Sequence, residues 1–99
     1  MGQPNTRYDA PAIVVGGGLN ALGVVRSLGQ AGVPVRVLDT DPRSPAMRSR
    51  WGRAQVVPTV EGAAFMAELL RTAASLGPRV VLFLTEEKAV NTVSELRAS

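Results

Sequence analysis

Four apolar residues, Ala12 to Val15, run directly into Gly16, Gly17 and Gly18, followed by Leu19, Asn20, Ala21, Leu22 and Gly23. No other stretch narrows the folding options of this chain so far. A short, fully apolar run is a strand covered on both faces, the habit of parallel sheets. Glycine accepts positive φ and has no Cβ, so three in a row permit a sharp exit from the strand and a close approach of backbone to a ligand. Asn20 is the expected N-cap of the next helix, in which Ala21, Val25 and Leu28 recur at helical spacing. The unpaired N–H groups and positive dipole end of that helix favour a phosphate or carboxylate at this edge.

The same alternation continues. Gly32 is placed to close the first helix, with Pro34 beyond it. Val33 to Leu38 is the expected second strand, ended by Asp39, Thr40, Asp41 and Pro42. Ser44 to Arg50 suits one or two helical turns, with Pro45 at the first helical position. A third strand is expected over Ala54 to Val57. Thr59 then caps a helix from Val60 to Leu76 whose core face is Phe65, Leu69, Ala73 and Leu76. Gly77-Pro78 stops it. Val80 to Leu84 is the fourth strand, and Thr85 caps a last helix carrying Ala89, Val93 and Leu96. Apolar strands alternating with helices imply an α/β, Rossmann-like three-layer half-domain over residues 12–99, its parallel sheet in the order 3-2-1-4. Residues 1–11 are polar and read as a disordered lead-in. The fourth strand is left as an exposed edge, which suggests a chain cut from a longer protein or a surface for dimerisation.

Composition mainly excludes. The 99 residues suit one domain, and hydrophobic residues (45%) and charged residues (19%) are in ordinary globular proportion. Cysteine and histidine are absent, which removes disulfides, thiolate metal sites and the commonest general base. No apolar run is long enough to span a bilayer, and the N-terminus has no secretory h-region. A cytoplasmic location without a membrane partner is expected. Ten of the eleven basic residues are Arg, and Arg43, Arg48, Arg50 and Arg53 cluster around Trp51. Without a nucleic-acid motif, this stretch reads as a solvated connection with Trp51 packed on the domain edge, and no nucleic-acid partner is expected.

Read as G-x-G-x-x-[GA], the turn comprises Gly16, Gly18 and Ala21, with Gly23 available for close helix–strand packing. Asp39 lies 21 residues after Gly18, where a dinucleotide-binding protein places its ribose-binding acid. It serves equally well as a strand-end acid capping the following turn. Thr85, Glu86 and Glu87 follow strand 4 on the same edge. Two acids there suit the helix dipole first and a substrate amine or hydroxyl second. The candidate substrate- and anion-binding residues are thus Gly16, Gly17, Gly18, Leu19, Asn20, Asp39 and Thr85. No nucleophile–base pair or metal cluster is present, so no residue is assigned a catalytic or metal-binding role.

Taken in order, VVGGGLNALGVVRSLGQAGVPV, VLDTDPRSPAMRSRW, QVVP and FLTEEKAVNTVSE resemble the N-terminal, pre-ATP-grasp domain of ATP-grasp carboxylate–amine ligases. That family typically shows G-G-G-x-N-x-L-G after strand 1, matched from Gly16 to Gly23, and D-x-D-P followed by arginines and an aromatic after strand 2, matched from Asp39 to Trp51. The resemblance spans nearly everything from Ala12 onward. It implies a parent enzyme that phosphorylates a carboxylate with ATP and Mg²⁺ and lets an amine attack the acyl phosphate. ATP and Mg²⁺ would be bound by a separate domain of the parent polypeptide, and no cofactor tightly by this chain. Gly16 to Asn20 would contact a carboxylate or amine substrate, or a phosphate oxygen, with Asp39 and Thr85 on the same wall. Two other readings stay open on the same residues: the cofactor half of an NAD(P)-dependent oxidoreductase, and a stand-alone module binding a nucleotide or partner protein.

Overall fold

A computed structural model of the chain describes residues 10–86 and 89–93. Strands β1 (Ala12–Val15), β2 (Val35–Asp39), β3 (Arg53–Val56) and β4 (Val81–Leu84) form one sheet in the order β3-β2-β1-β4. Each pairing is parallel: Val14 is in register with Val37 and Phe83, and Val37 with Ala54. Helices α1 (Leu19–Gln30) and α2 (Gly62–Leu76) connect the strands, with a 3-10 turn at Ala46–Arg48. Residues 89–93 are also helical. This is the Rossmann-like architecture expected from the alternation of apolar runs.

The pleat divides the core. Ile13 and Val15 of β1 point to one face and pack with Leu38, Val57, Phe65, Leu69 and Ala89. Val14, between them, points to the other face and packs with Ala21, Val25, Val37, Ala46 and Met47. The sheet is therefore the middle of three layers, and all four residues of β1 are buried. The core face expected on α2 is found: Phe65 and Leu69 are buried, with Ala73 and Leu76 packed against them.

Strand ends differ from expectation by one or two residues. β2 and β4 begin after Pro34 and Val80, and β3 begins at Arg53, opposite Arg36. The caps differ more. α1 starts at Leu19 with Gly18 as its N-cap, and Asn20 lies inside the first turn. α2 starts at Gly62 with Glu61 as N-cap, while the Thr59 hydroxyl accepts the Glu61 N–H at 3.2 Å within a local turn. The Gly62 N–H is instead met by the Thr92 hydroxyl at 3.0 Å, a cap delivered from another element. Pro45 is the N-cap of the 3-10 turn. The Thr85 hydroxyl donates to the Val15 carbonyl at 2.6 Å, where it locks β1 to the chain leaving β4. At its other end α1 closes as expected. Gly32 takes φ +90°, and the Gly32 and Val33 amides bond back to the Gly29 and Leu28 carbonyls, a Schellman arrangement.

The lead-in expected over residues 1–11 falls almost wholly outside the described residues; Pro11, which is described, accepts the Val81 N–H through its carbonyl. Leu96 also lies outside them. β4 is an edge of the sheet, with Val81 and Leu82 exposed.

Candidate functional site

Parallel pairing sends the carboxyl ends of all four strands to one edge, where ligands of open α/β sheets collect. Ladder bonds carry the chain past the strands there: the Gly16 N–H reaches the Leu38 carbonyl at 2.8 Å, and the Thr85 N–H reaches the Val15 carbonyl at 3.0 Å. Gly16, Asp39 and Thr85 are brought together by this register.

The three glycines have three different surroundings. Gly16 takes φ +118°, and a Cβ there would sit 2.2 Å from the Thr85 hydroxyl and 2.9 Å from Glu86 Cγ. Gly17 is enclosed on another side, where a Cβ would sit 2.4 Å from Ser44 Cβ and 2.5 Å from Asp39 Oδ2. Around Gly18 no described atom beyond its immediate chain neighbours and the backbone of α1 lies within 4 Å of a Cβ. Protein packing therefore explains two of the glycines, and Gly18 alone of the three opens to solvent. As the N-cap of α1 it makes no side-chain cap bond, so the first-turn amides keep their capacity for an acceptor.

Asp39 is buried. Its Oδ2 accepts the Ser44 hydroxyl at 2.7 Å and the Asp41 N–H at 3.3 Å. Of the two roles weighed for this acid, the turn-capping one is visible in these bonds. Asp41 continues the turn by accepting the Arg43 backbone N–H at 2.9 Å. That bond outweighs the opposing desolvation and, with help from the Arg43 side chain and its charge, holds the Asp41 carboxyl below the ordinary aspartate range.

Beside this corner a polar cleft of about 490 Å³ is lined by Asp39, Thr40, Pro58, Thr59, Val60, Glu61 and Glu86. Its carboxylates favour an ammonium or hydroxyl-bearing group over a bare anion. Leu19 and Asn20 turn elsewhere. They line an apolar groove of about 550 Å³ with Gly23, Val24, Ser27, Leu28 and Phe83, between α1 and the open side of β4. The candidate residues thus divide: Gly16, Gly17, Asp39 and Thr85 meet at the strand ends, while Leu19 and Asn20 flank Gly18 on the groove side.

Of the two acids expected after β4, Glu86 lines the cleft and Glu87 lies outside the described residues. Sequence reasoning missed Ser44 and Glu61 as neighbours of this site. Its glycine for close packing was also misplaced. A Cβ on Gly23 would meet no described atom outside α1 within 4 Å, whereas Gly29 seats Trp51, with Trp51 Cβ 2.6 Å from where its own Cβ would be. Trp51 packs against the α1-side core as expected, with the Arg50 guanidinium 4.9 Å above its ring. Among the described residues there is no group of three or more acids suited to a metal ion, and no helix long and apolar enough to cross a membrane. No family model, curated protein or solved structure matches the chain.

Proposed function

We propose that this chain is the substrate-side domain of an ATP-dependent carboxylate–amine ligase. The observation that carries the reading is that one edge of the sheet carries both the open Gly18 turn at the uncapped start of α1 and, beyond Asp39, a carboxylate-lined cleft. A ligase that joins a carboxylate to an amine needs neighbouring seats of opposite polarity. The α1 amides suit a carboxylate or the phosphate oxygens of its activated form. The cleft bounded by Asp39 and Glu86 suits the amine.

Among the described residues no group of three or more acids gathers to hold a metal ion. The nucleotide belongs, on this reading, to another domain. This chain binds and orients: amides from Gly18 onward hold the acid partner, and the acidic cleft positions the amine for attack on it. Gly18→Asp in the enzyme that contains this domain sets a carboxylate against the proposed anion seat. KM for the carboxylate substrate is expected to rise at least tenfold; unchanged KM and turnover would refute the assignment.

A further inference from the structure

We propose that the segment joining β2 to β3 is a built-in plug that shuts nucleoside ribose out of the glycine turn, and that Ser44 is the specificity-determining residue that seats it. In dinucleotide-binding folds an acid ending strand 2 receives ribose hydroxyls in the corner beside the glycine turn. The matching corner here lies between Gly17 and Asp39, and protein atoms fill it. On the Gly17 side, Asp39 Oδ2 is taken by the Ser44 hydroxyl at 2.7 Å and the Asp41 N–H at 3.3 Å. The space over Gly17 is taken by Ser44, whose Cβ and Oγ stand 2.4 and 2.7 Å from where a Gly17 Cβ would be. Two residues on, the Ala46 N–H donates to the Gly17 carbonyl at 2.9 Å, joining the plug to the turn itself.

The plug is anchored from beneath. Ala46 and Met47 are buried in the α1-side core with Val14, Ala21 and Val25. A ligand that kept its ribose at Gly17 would have to break a charge-assisted hydrogen bond and lift two core residues. Ligands are left two approaches, the open side of Gly18 and the polar cleft beyond Asp39. The inference holds whichever ligand the chain takes, because it rests on the filled corner and not on the ligase reading.

The test is an NMR titration of the ¹⁵N-labelled chain with ADP-ribose, together with amide exchange, on the natural protein and on Ser44→Gly. In the natural protein the Ala46 amide, inside the plug, is expected to stay unshifted at about 1 mM ADP-ribose, enough to half-saturate a millimolar site, whether or not its phosphates meet the Gly18 amides. In Ser44→Gly the Ala46 amide is expected to exchange about tenfold faster or more, as loss of a bond to a charged acceptor implies. ADP-ribose should then shift Gly17 and Asp39. Saturable shifts that reach Ala46 as well as Gly17 and Asp39 in the natural protein would overturn the plug, and that titration decides even if the variant fails to fold. A folded variant whose Ala46 exchange is unchanged, or whose corner still ignores ADP-ribose, would overturn the role of Ser44.

Discussion

Gly16 offers the sharpest perturbation, because two independent terms act against any side chain there. At φ +118° an L-residue carries backbone strain of about 1–3 kcal/mol. Its Cβ would also stand 2.2 Å from the Thr85 hydroxyl, which cannot retreat without leaving the Val15 carbonyl. Overpacking of this kind costs about 1–3 kcal/mol. Together, Gly16→Ala should lose about 2–6 kcal/mol, a large part of the roughly 5–15 kcal/mol that holds a domain of this size. At Gly18, with φ −76° and open space around it, Ala meets neither term and costs at most about 1 kcal/mol as a poorer N-cap. Urea unfolding followed by far-UV circular dichroism separates the two, since a loss of about 4 kcal/mol moves the midpoint by about 2 M. Gly16→Ala within about 0.5 kcal/mol of the natural chain, or Gly18→Ala as damaging as Gly16→Ala, would refute the division between packing glycines and the open one.

Phe65, 1% exposed at the centre of the α2-side core, should cost about 3–5 kcal/mol when cut to Ala, measured as the shift in unfolding midpoint; a loss below about 1 kcal/mol would contradict its place in that core. Gln55 links the sheet to α2 by accepting from Arg36 at 2.8 Å and donating to Thr72 at 2.9 Å, so Gln55→Leu should cost about 1–3 kcal/mol through unpaired partners, while a neutral outcome would show those bonds to be idle. The Asp41 carboxyl should titrate below its ordinary value of 3.8 by ¹³C NMR, chiefly because of the Arg43 backbone N–H. A depressed folded pKa contributes stability above the unfolded value that is lost as pH falls through the folded one, so Asp41→Asn should remove a small acid-dependent component; a pKa at or above 3.8 would contradict the bond.

What could be read from the sequence was whatever depends on local pattern. β1 has the bounds its apolar run indicated, and the strand order follows from the alternation of elements. The Gly32 stop and the Phe65–Leu69 face are equally local, being written in a glycine and in helical spacing. Caps were not legible, because they are satisfied across the fold. The Gly62 amide bonds Thr92, thirty residues away, whereas a local search settles on Thr59. Close-packing glycines were misplaced for a related reason. Which face of α1 meets Trp51 is decided by the path of residues 44–51 over that helix, and this favours Gly29 over Gly23. At the site, the register of β1 with β2 and β4 brought Gly16, Asp39 and Thr85 to one edge as expected. The same register gives no hint that Ser44 folds back onto Asp39, because that contact depends on Ala46 and Met47 being drawn into the core.

The most direct test of the ligase reading is to read the native coding frame beyond the codon for Ser99. Continuation into a nucleotide-binding domain with a phosphate-contacting lysine and clustered Glu and Asn metal ligands is expected. A nicotinamide-dependent catalytic domain in that position, or an immediate stop codon, would contradict it.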